Sequence, residues 1–127
     1  MKKTILILLI ALGVIGCDPY VSYYLYIDNR SEDTIKIVFL EKSPYLMINP
    51  DSLVFYPNSK KMLWGAEGTP SRDGCSYTGI NKDEVEFVIS SNKKLKKEIW
   101  NIKNWNCSGS YNNGWTKTFT INEEDLE

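Results

Sequence analysis

The sequence contains no histidine, and this absence removes several kinds of chemistry. Ser-His-Asp and Cys-His catalytic sites, histidine-ligated metals and imidazole pH switches are all excluded. The charge is nearly balanced, with 15 basic and 16 acidic residues among 127, so nothing attracts the chain to nucleic acid. The sequence also lacks the motifs of phosphate-binding and calcium-binding loops. We therefore expect no nucleic-acid partner, no cofactor and no metal.

No apolar run is long enough to cross a membrane. The longest, Ile5 to Ile15, has eleven residues, whereas a helix needs about 20 to span a bilayer core of roughly 30 Å. Lys2 and Lys3 precede the run, and the small residue Gly16 follows it. A basic start, a short apolar core and a small residue after it predict a secretory signal peptide.

The end of this run resembles the lipobox of bacterial lipoproteins. The residues are Val14-Ile15-Gly16-Cys17, and in that family a small residue precedes an invariant cysteine. The resemblance implies that residues 1–16 are removed, that Cys17 is acylated, and that residues 17–127 form the mature, membrane-anchored domain. We expect an exported protein of the bacterial cell envelope, an outer-membrane lipoprotein facing the periplasm or the cell surface. An ordinary signal peptide that ends in cysteine is the alternative.

Two cysteines remain once Cys17 is assigned to lipid. Cys75 and Cys107 form an even pair in an oxidising compartment, which predicts a disulfide. Two free thiols or a redox pair are the alternative, but the wide separation does not match a Cys-x-x-Cys site. The predicted disulfide closes a long loop and is worth about 3.7 kcal/mol in the chain-entropy model.

The mature chain consists of short alternating segments with turns between them and no amphipathic helix. β-Branched and aromatic residues dominate these segments, as pleated sheets prefer. We predict an all-β domain, a single β-sandwich of Ig-like type with seven or eight strands, with an open barrel as the alternative. The predicted strand segments lie at 21–28, 34–39, 45–48, 53–56, 62–64, 84–89, 115–121 and part of 99–105.

Residues 66–83 interrupt this pattern. Gly68, Pro70, Gly74 and Gly79 break any regular element there. A connection of this length inside a small domain is usually functional or mobile. The simpler interpretation is a crossover that a disulfide at Cys75 fastens for stability.

Aromatic and asparagine side chains cluster near Cys107. Aromatic rings stack on the apolar faces of sugars, and amide groups can both donate to and accept from hydroxyls. We expect Trp100 and Trp115 to pack inside the sandwich. The candidate glycan-binding residues, expected on the surface, are Asn104, Trp105, Tyr111 and Asn112. The alternative is that these aromatic residues also belong to the core.

Both ends of the chain resemble small lipoproteins of Bacteroidota. The similar features are the lipobox, a tyrosine-rich first strand, and the closing residues Phe119-Thr120-Ile121-Asn122-Glu123-Glu124-Asp125-Leu126. The resemblance carries over no functional residue except Cys17. It does imply that Thr34 and Ser52, each in an Asp-Ser/Thr-apolar triplet, are candidate O-glycosylation sites.

These observations favour a non-enzymatic binding module anchored at the cell envelope, with a glycan or an envelope protein as its partner. The alternatives are a structural envelope component without a small ligand and a small carboxylate-based hydrolase. A binding module should present an exposed aromatic patch, whereas a structural protein should bury nearly all its tryptophans. A hydrolase should bring two carboxylates together in a cleft.

The lipobox generates the first prediction. Cys17→Ala removes the acylated side chain, so the variant should appear in the soluble fraction when cells are fractionated, while the wild type stays with the membranes. Continued membrane association of Cys17→Ala would contradict the lipoprotein assignment.

Overall fold

The computed structural model of this protein describes residues 20–127, so the predicted signal peptide and Cys17 lie outside the described residues. Residues 20–127 form seven strands in two sheets, and their helical residues are limited to three short 3-10 helices. The strands are β1 (Val21–Asn29), β2 (Ile35–Phe39), β3 (Ser52–Phe55), β4 (Ser59–Gly68), β5 (Val85–Ile89), β6 (Trp105–Ser110) and β7 (Gly114–Ile121). The predicted all-β sandwich is confirmed.

The two sheets have the strand orders β4-β1-β7-β6 and β3-β2-β5. All neighbours are antiparallel except β1 and β7, which pair in parallel. Immunoglobulin constant domains place their first strand at a sheet edge, whereas β1 lies in the middle of its sheet here. The likeness to immunoglobulin domains is therefore one of architecture and not of connectivity.

The core lies between the sheets because alternate residues of each strand point inward. Ile27, Ile35, Ile37, Phe55 and Phe119 have no exposed surface at all. The remaining core side chains of the strands are Leu25, Phe39, Leu63, Val85, Ile89, Trp105 and Ile121. Both sheets contribute to this one cluster, as a sandwich requires.

Two predicted strand segments are wrong. The apolar residues 45–48 lie mostly in the 3-10 helix Pro44–Met47, where the Ser43 hydroxyl accepts a hydrogen bond from the Tyr45 backbone N–H. Of residues 99–105, three form the 3-10 helix Ile102–Asn104, and β6 begins only at Trp105. Apolar runs this short fit a helical turn as well as a strand, and the capping side chain decides between them.

One end of the sandwich is closed by Asn29, the last residue of β1. Its side chain is fully buried and donates to the carbonyl oxygens of Asp33 and Phe55, at 2.8 and 3.1 Å. Its amide oxygen accepts from the backbone N–H and the hydroxyl of Ser31. A buried amide satisfied in this way fixes the end of β1 against the smaller sheet.

The other end of the sandwich is open because the sheets differ in length. β1 and β4 have nine and ten residues, whereas β2, β3 and β5 have four or five. At roughly 3.3 Å per residue, the long strands extend about 30 Å and the short ones about 16 Å. With the sheets joined at Asn29, the four-stranded sheet projects beyond its partner where β1 begins.

The predicted disulfide between Cys75 and Cys107 is confirmed, with 5.8 Å between the two Cα atoms. It joins the long connection between β4 and β5 to strand β6. This connection covers part of the projecting sheet.

Removal of this crosslink should destabilise the domain. The double variant Cys75→Ala/Cys107→Ala should lose about 3.7 kcal/mol of unfolding free energy, because its unfolded chain is no longer restricted by the loop closure. Chemical denaturation of the two proteins measures the difference, and reduced wild type is the control. Equal midpoints for the oxidised wild type and the double variant would contradict the prediction.

Candidate functional site

The inner face of the projecting sheet forms the floor of a cleft. Strand register places inward-facing residues side by side in two rows beyond the core. The row next to the core is Cys107, Lys117, Leu25 and Trp64, and the outer row is Gly109, Trp115, Tyr23 and Ala66. These positions continue the same alternation that buries Ile27 and Phe119.

A β-bulge shapes this floor. The register between β1 and β4 shifts between Leu25 and Tyr26, so that Leu63 is an extra residue on β4. A bulge turns two consecutive side chains toward one face of a sheet. Leu63 therefore enters the core at 1% exposure, while its neighbour Trp64 packs against the core and also lines the cleft.

The segment between β4 and β5, residues 69–84, is here called the crossover segment, and it forms the opposite wall. Side chains of the floor hold it by its backbone carbonyls. Trp115 Nε1 donates to the Ser71 oxygen at 2.8 Å, and Lys117 Nζ donates to the Tyr77 oxygen at 2.6 Å. Two tyrosine hydroxyls do the same, from Tyr23 to Thr69 and from Tyr45 to Gly79.

Close packing of the crossover segment needs glycine at position 74. A Cβ atom there would lie 2.1 Å from Cδ1 of Trp115, far inside van der Waals contact. The Trp115 ring therefore rests directly on backbone. Together with the disulfide, this contact gives the segment a fixed position over the floor.

The cleft has a volume of about 480 Å³, within the range of small-molecule sites. Its lining combines aromatic rings with hydroxyl, carbonyl and ammonium groups. The aromatic side chains that face it are those of Tyr23, Tyr45, Trp64, Tyr77 and Trp115. Tyr24 points to the other side of the sheet, where its ring lies beside that of Tyr26. Glu67 is the one carboxylate among the lining residues, and it is exposed.

Lys117 is the one cation among the lining residues and is only 7% exposed. Its ammonium lies 4.6 Å from the centre of the Tyr77 ring, in addition to its hydrogen bond with the Tyr77 carbonyl. No carboxylate within residues 20–127 forms a salt bridge with it. Burial lowers the pKa of Lys117 because the charged form loses hydration.

Tyr45 and Trp64 form the side of the cleft next to the core. Their rings are packed edge to face, with 5.8 Å between the ring centres. Burial is the main cause that raises the pKa of Tyr45 to about 12, so its hydroxyl remains a donor. The buried Nε1 of Trp64 has no hydrogen-bond partner among the described residues. An unused buried donor is uncommon in folded proteins.

The expectation that Trp105 is exposed is wrong. Its side chain is 7% exposed, and the centre of its ring lies 5.3 Å from the centre of the Phe119 ring. Its Nε1 donates a hydrogen bond to the Ile99 carbonyl at 2.6 Å. The position shares the inward face of β6 with Cys107, which explains the burial. Asn104, just before it, donates from its amide to the Glu98 carbonyl.

The four predicted glycan-binding residues do not come together. Tyr111 and Asn112 are exposed in the turn after β6, whereas Asn104 and Trp105 lie at its other end, about 20 Å away along the strand. Tyr111 is at the open end of the sandwich, and Arg72 of the crossover segment lies over its ring.

The expected core positions of two tryptophans also need correction. Trp100 is 36% exposed and borders a second depression on the far side of the crossover segment. Trp115 does face inward, but beyond the end of the smaller sheet, where it lines the cleft. The smaller sheet is too short to cover it.

The two candidate O-glycosylation sites flank short strands of the smaller sheet. Thr34 precedes β2 and exchanges hydrogen bonds with Ser90, and Ser52 is the first residue of β3. Both residues are half-buried. Their modification remains a prediction.

Two signals in the sequence point to the cleft. One is the long connection predicted at 66–83, which a disulfide at Cys75 was expected to hold for stability alone. The other is the inward register of β7, in which Lys117 stands between Trp115 and Phe119. A lysine at an inward position marks the place where the core ends.

Comparison of the chain with protein-family models, curated proteins and solved structures finds no match. Within residues 20–127, no helix has the length and apolar character needed to cross a membrane. The same residues contain no cluster of three cysteine or acidic side chains placed to hold a metal ion. The function is therefore argued from the cleft itself.

The buried charge of Lys117 generates a stability prediction. The pKa of Lys117 is lower in the folded protein than in the unfolded chain. The free energy of unfolding should therefore increase as the pH rises from the lower to the higher of these two pKa values. Lys117→Met retains the aliphatic stem but removes both the charge and the hydrogen bond to the Tyr77 carbonyl, so its melting temperature relative to that of the wild type should be a few degrees higher at pH 7 than at pH 10.5. Near the higher pH the unfolded lysine loses its proton, so burial of the charge no longer costs the wild type stability.

Thermal unfolding by circular dichroism at the two pH values measures this effect. Lys36→Met removes the same charge from an exposed position on β2 and is the control. A difference in melting temperature between Lys117→Met and Lys36→Met that stays the same at the two pH values would contradict the prediction.

Proposed function

We propose that this protein is a lipid-anchored binding module of the bacterial cell envelope and that its aromatic cleft binds a saccharide. The observation that carries the proposal is the composition of the cleft. Five aromatic side chains share about 480 Å³ with hydroxyl, carbonyl and ammonium groups. Sugars need this combination, because a pyranose has apolar faces and a rim of hydroxyls.

The way the cleft is held also supports binding. The crossover segment is fixed by the disulfide and by four side-chain hydrogen bonds from the floor and from Tyr45. A wall that is ordered before the ligand arrives lowers the entropy lost on binding. A lower entropy loss favours the binding of small polar ligands such as sugars.

The alternatives receive less support from the same features. A structural component should bury nearly all its tryptophans, whereas Trp64 and Trp115 line the cleft and Trp100 is exposed. Glycosidases use two carboxylates, and the lining of the cleft includes that of Glu67 alone. We therefore favour binding without hydrolysis.

The proposed anchor would hold the open end of the sandwich toward the membrane. β1 starts at this end, where Val21 pairs with Gly68 and Ser22 pairs with Gly114. Cys17 precedes Val21 by four residues, which span at most about 14 Å when extended. An acylated Cys17 would thus keep the cleft near the envelope surface, where saccharides are presented.

Removal of one aromatic ring from the cleft tests the proposal. Tyr77 is 55% exposed and its bond with Lys117 uses the backbone carbonyl, so Tyr77→Ala should preserve the fold. We expect Tyr77→Ala to weaken saccharide binding about two- to tenfold, since a stacked ring is worth roughly 0.5–1.5 kcal/mol. A glycan array identifies the ligand, and calorimetry measures the affinities.

Tyr56→Ala is the matched control. Tyr56 is 66% exposed and lies at the opposite end of the sandwich, in the turn between β3 and β4. Equal effects of the two variants would place the site elsewhere. Failure of the folded, oxidised wild type to bind any saccharide would refute the proposed function.

A further inference from the structure

We infer that the saccharide bound in the cleft is acidic and that its anionic group pairs with the ammonium of Lys117. This inference rests on the proposed function, since it names the class of sugar that the same cleft would select. It follows from the position of the Lys117 ammonium, which is buried and lines the cleft.

Lys117 differs from the two lysines of the described chain that form salt bridges. Lys93 contacts Asp33 and Glu123, and Lys97 contacts Asp125, so both have carboxylate partners. Lys117 is more deeply buried than either and forms no salt bridge with any described residue. A buried ammonium without a counterion is unfavourable, which is why buried charges are normally paired.

The fold alone does not require this charge. The contact of Lys117 with the fold is a hydrogen bond to the Tyr77 carbonyl, together with the approach to its ring. A neutral donor such as the amide of glutamine could make the same hydrogen bond. An ammonium carries three donors, and one is used here, which leaves donors for an anion that enters the cleft.

The register places the ammonium where an acidic sugar would present its charge. Trp115 and Lys117 are two residues apart on one face of β7, about 7 Å along the strand. A pyranose held in the cleft beside Trp115 would therefore have an exocyclic carboxylate within reach of Lys117. Glu67, the one carboxylate among the lining residues, is exposed on the outward-facing side of β4, where solvent screens it.

Trp64 supplies a second unused donor in the same row. Lys117 and Trp64 flank Leu25 across β7, β1 and β4, about 10 Å apart at the backbone. The ammonium and the unpartnered indole N–H thus belong to one floor.

The test compares one saccharide with and without its charge. An oligomer of galacturonic acid and its methyl ester differ in charge and hardly in shape, and a sulfated oligosaccharide is the third probe. Calorimetry is performed on the purified full-length wild type, Lys117→Met, Lys117→Arg and the control Lys36→Met. We expect the wild type, Lys36→Met and Lys117→Arg to prefer the free acid over the ester by about ten- to a hundredfold. Lys117→Met should lose this preference and still bind the ester.

The outcomes separate this inference from the proposed function. A wild type that binds the acid and the ester equally would overturn the acidic-sugar inference and leave saccharide binding intact. Equal losses for both ligands in Lys117→Met would assign Lys117 a purely structural role and also overturn it. Preference for the sulfated probe over both would identify a sulfate as the anion and support the pairing. A wild type that binds none of the three, or any other saccharide, would refute both proposals.

Discussion

The unequal length of the two sheets is the constraint on which the rest of the structure depends. The smaller sheet covers one end of β1, where Asn29 is fixed, and leaves the inner face of the other end without a partner sheet. Such a face is apolar by alternation and would otherwise be open to solvent. The crossover segment covers this face only in part, and the space between them is the cleft. The site is thus a consequence of an incomplete sandwich.

The crossover segment contains no helix or strand and forms few backbone hydrogen bonds within itself, so part of its polar backbone finds partners elsewhere. Side chains at the cleft supply them, and Tyr23, Tyr45, Trp115 and Lys117 each donate to a carbonyl of this segment. These contacts use the polar ends of residues whose apolar parts line the cleft. The same side chains therefore hold the wall and form the binding surface. This double use explains why a glycine-rich connection can be ordered without a helix or a strand.

Alternation in the sequence predicts the fold well and the site poorly. Inward positions such as Ile27, Ile35 and Phe119 follow from a period of two, and the disulfide follows from the cysteine count. Alternation with a period of two is compatible with an inward position for both Trp105 and Trp115. Trp105 is nevertheless part of the core, whereas Trp115 lines the cleft. The difference arises from the length and placement of the opposite sheet, which depend on strand order. A single sequence does not contain that order in any local pattern.

One kind of residue can mark the boundary between core and cleft before a structure is known. Apolar and aromatic side chains are compatible with both environments, so their pattern along β7 is uninformative. A lysine at an inward position is compatible with the core only if it is paired. Lys117 lies in register between Trp115 and Phe119, and its charge has no carboxylate partner within the described chain. The inward lysine therefore marks where the apolar core gives way to the lining of the cleft, and it places a positive charge there.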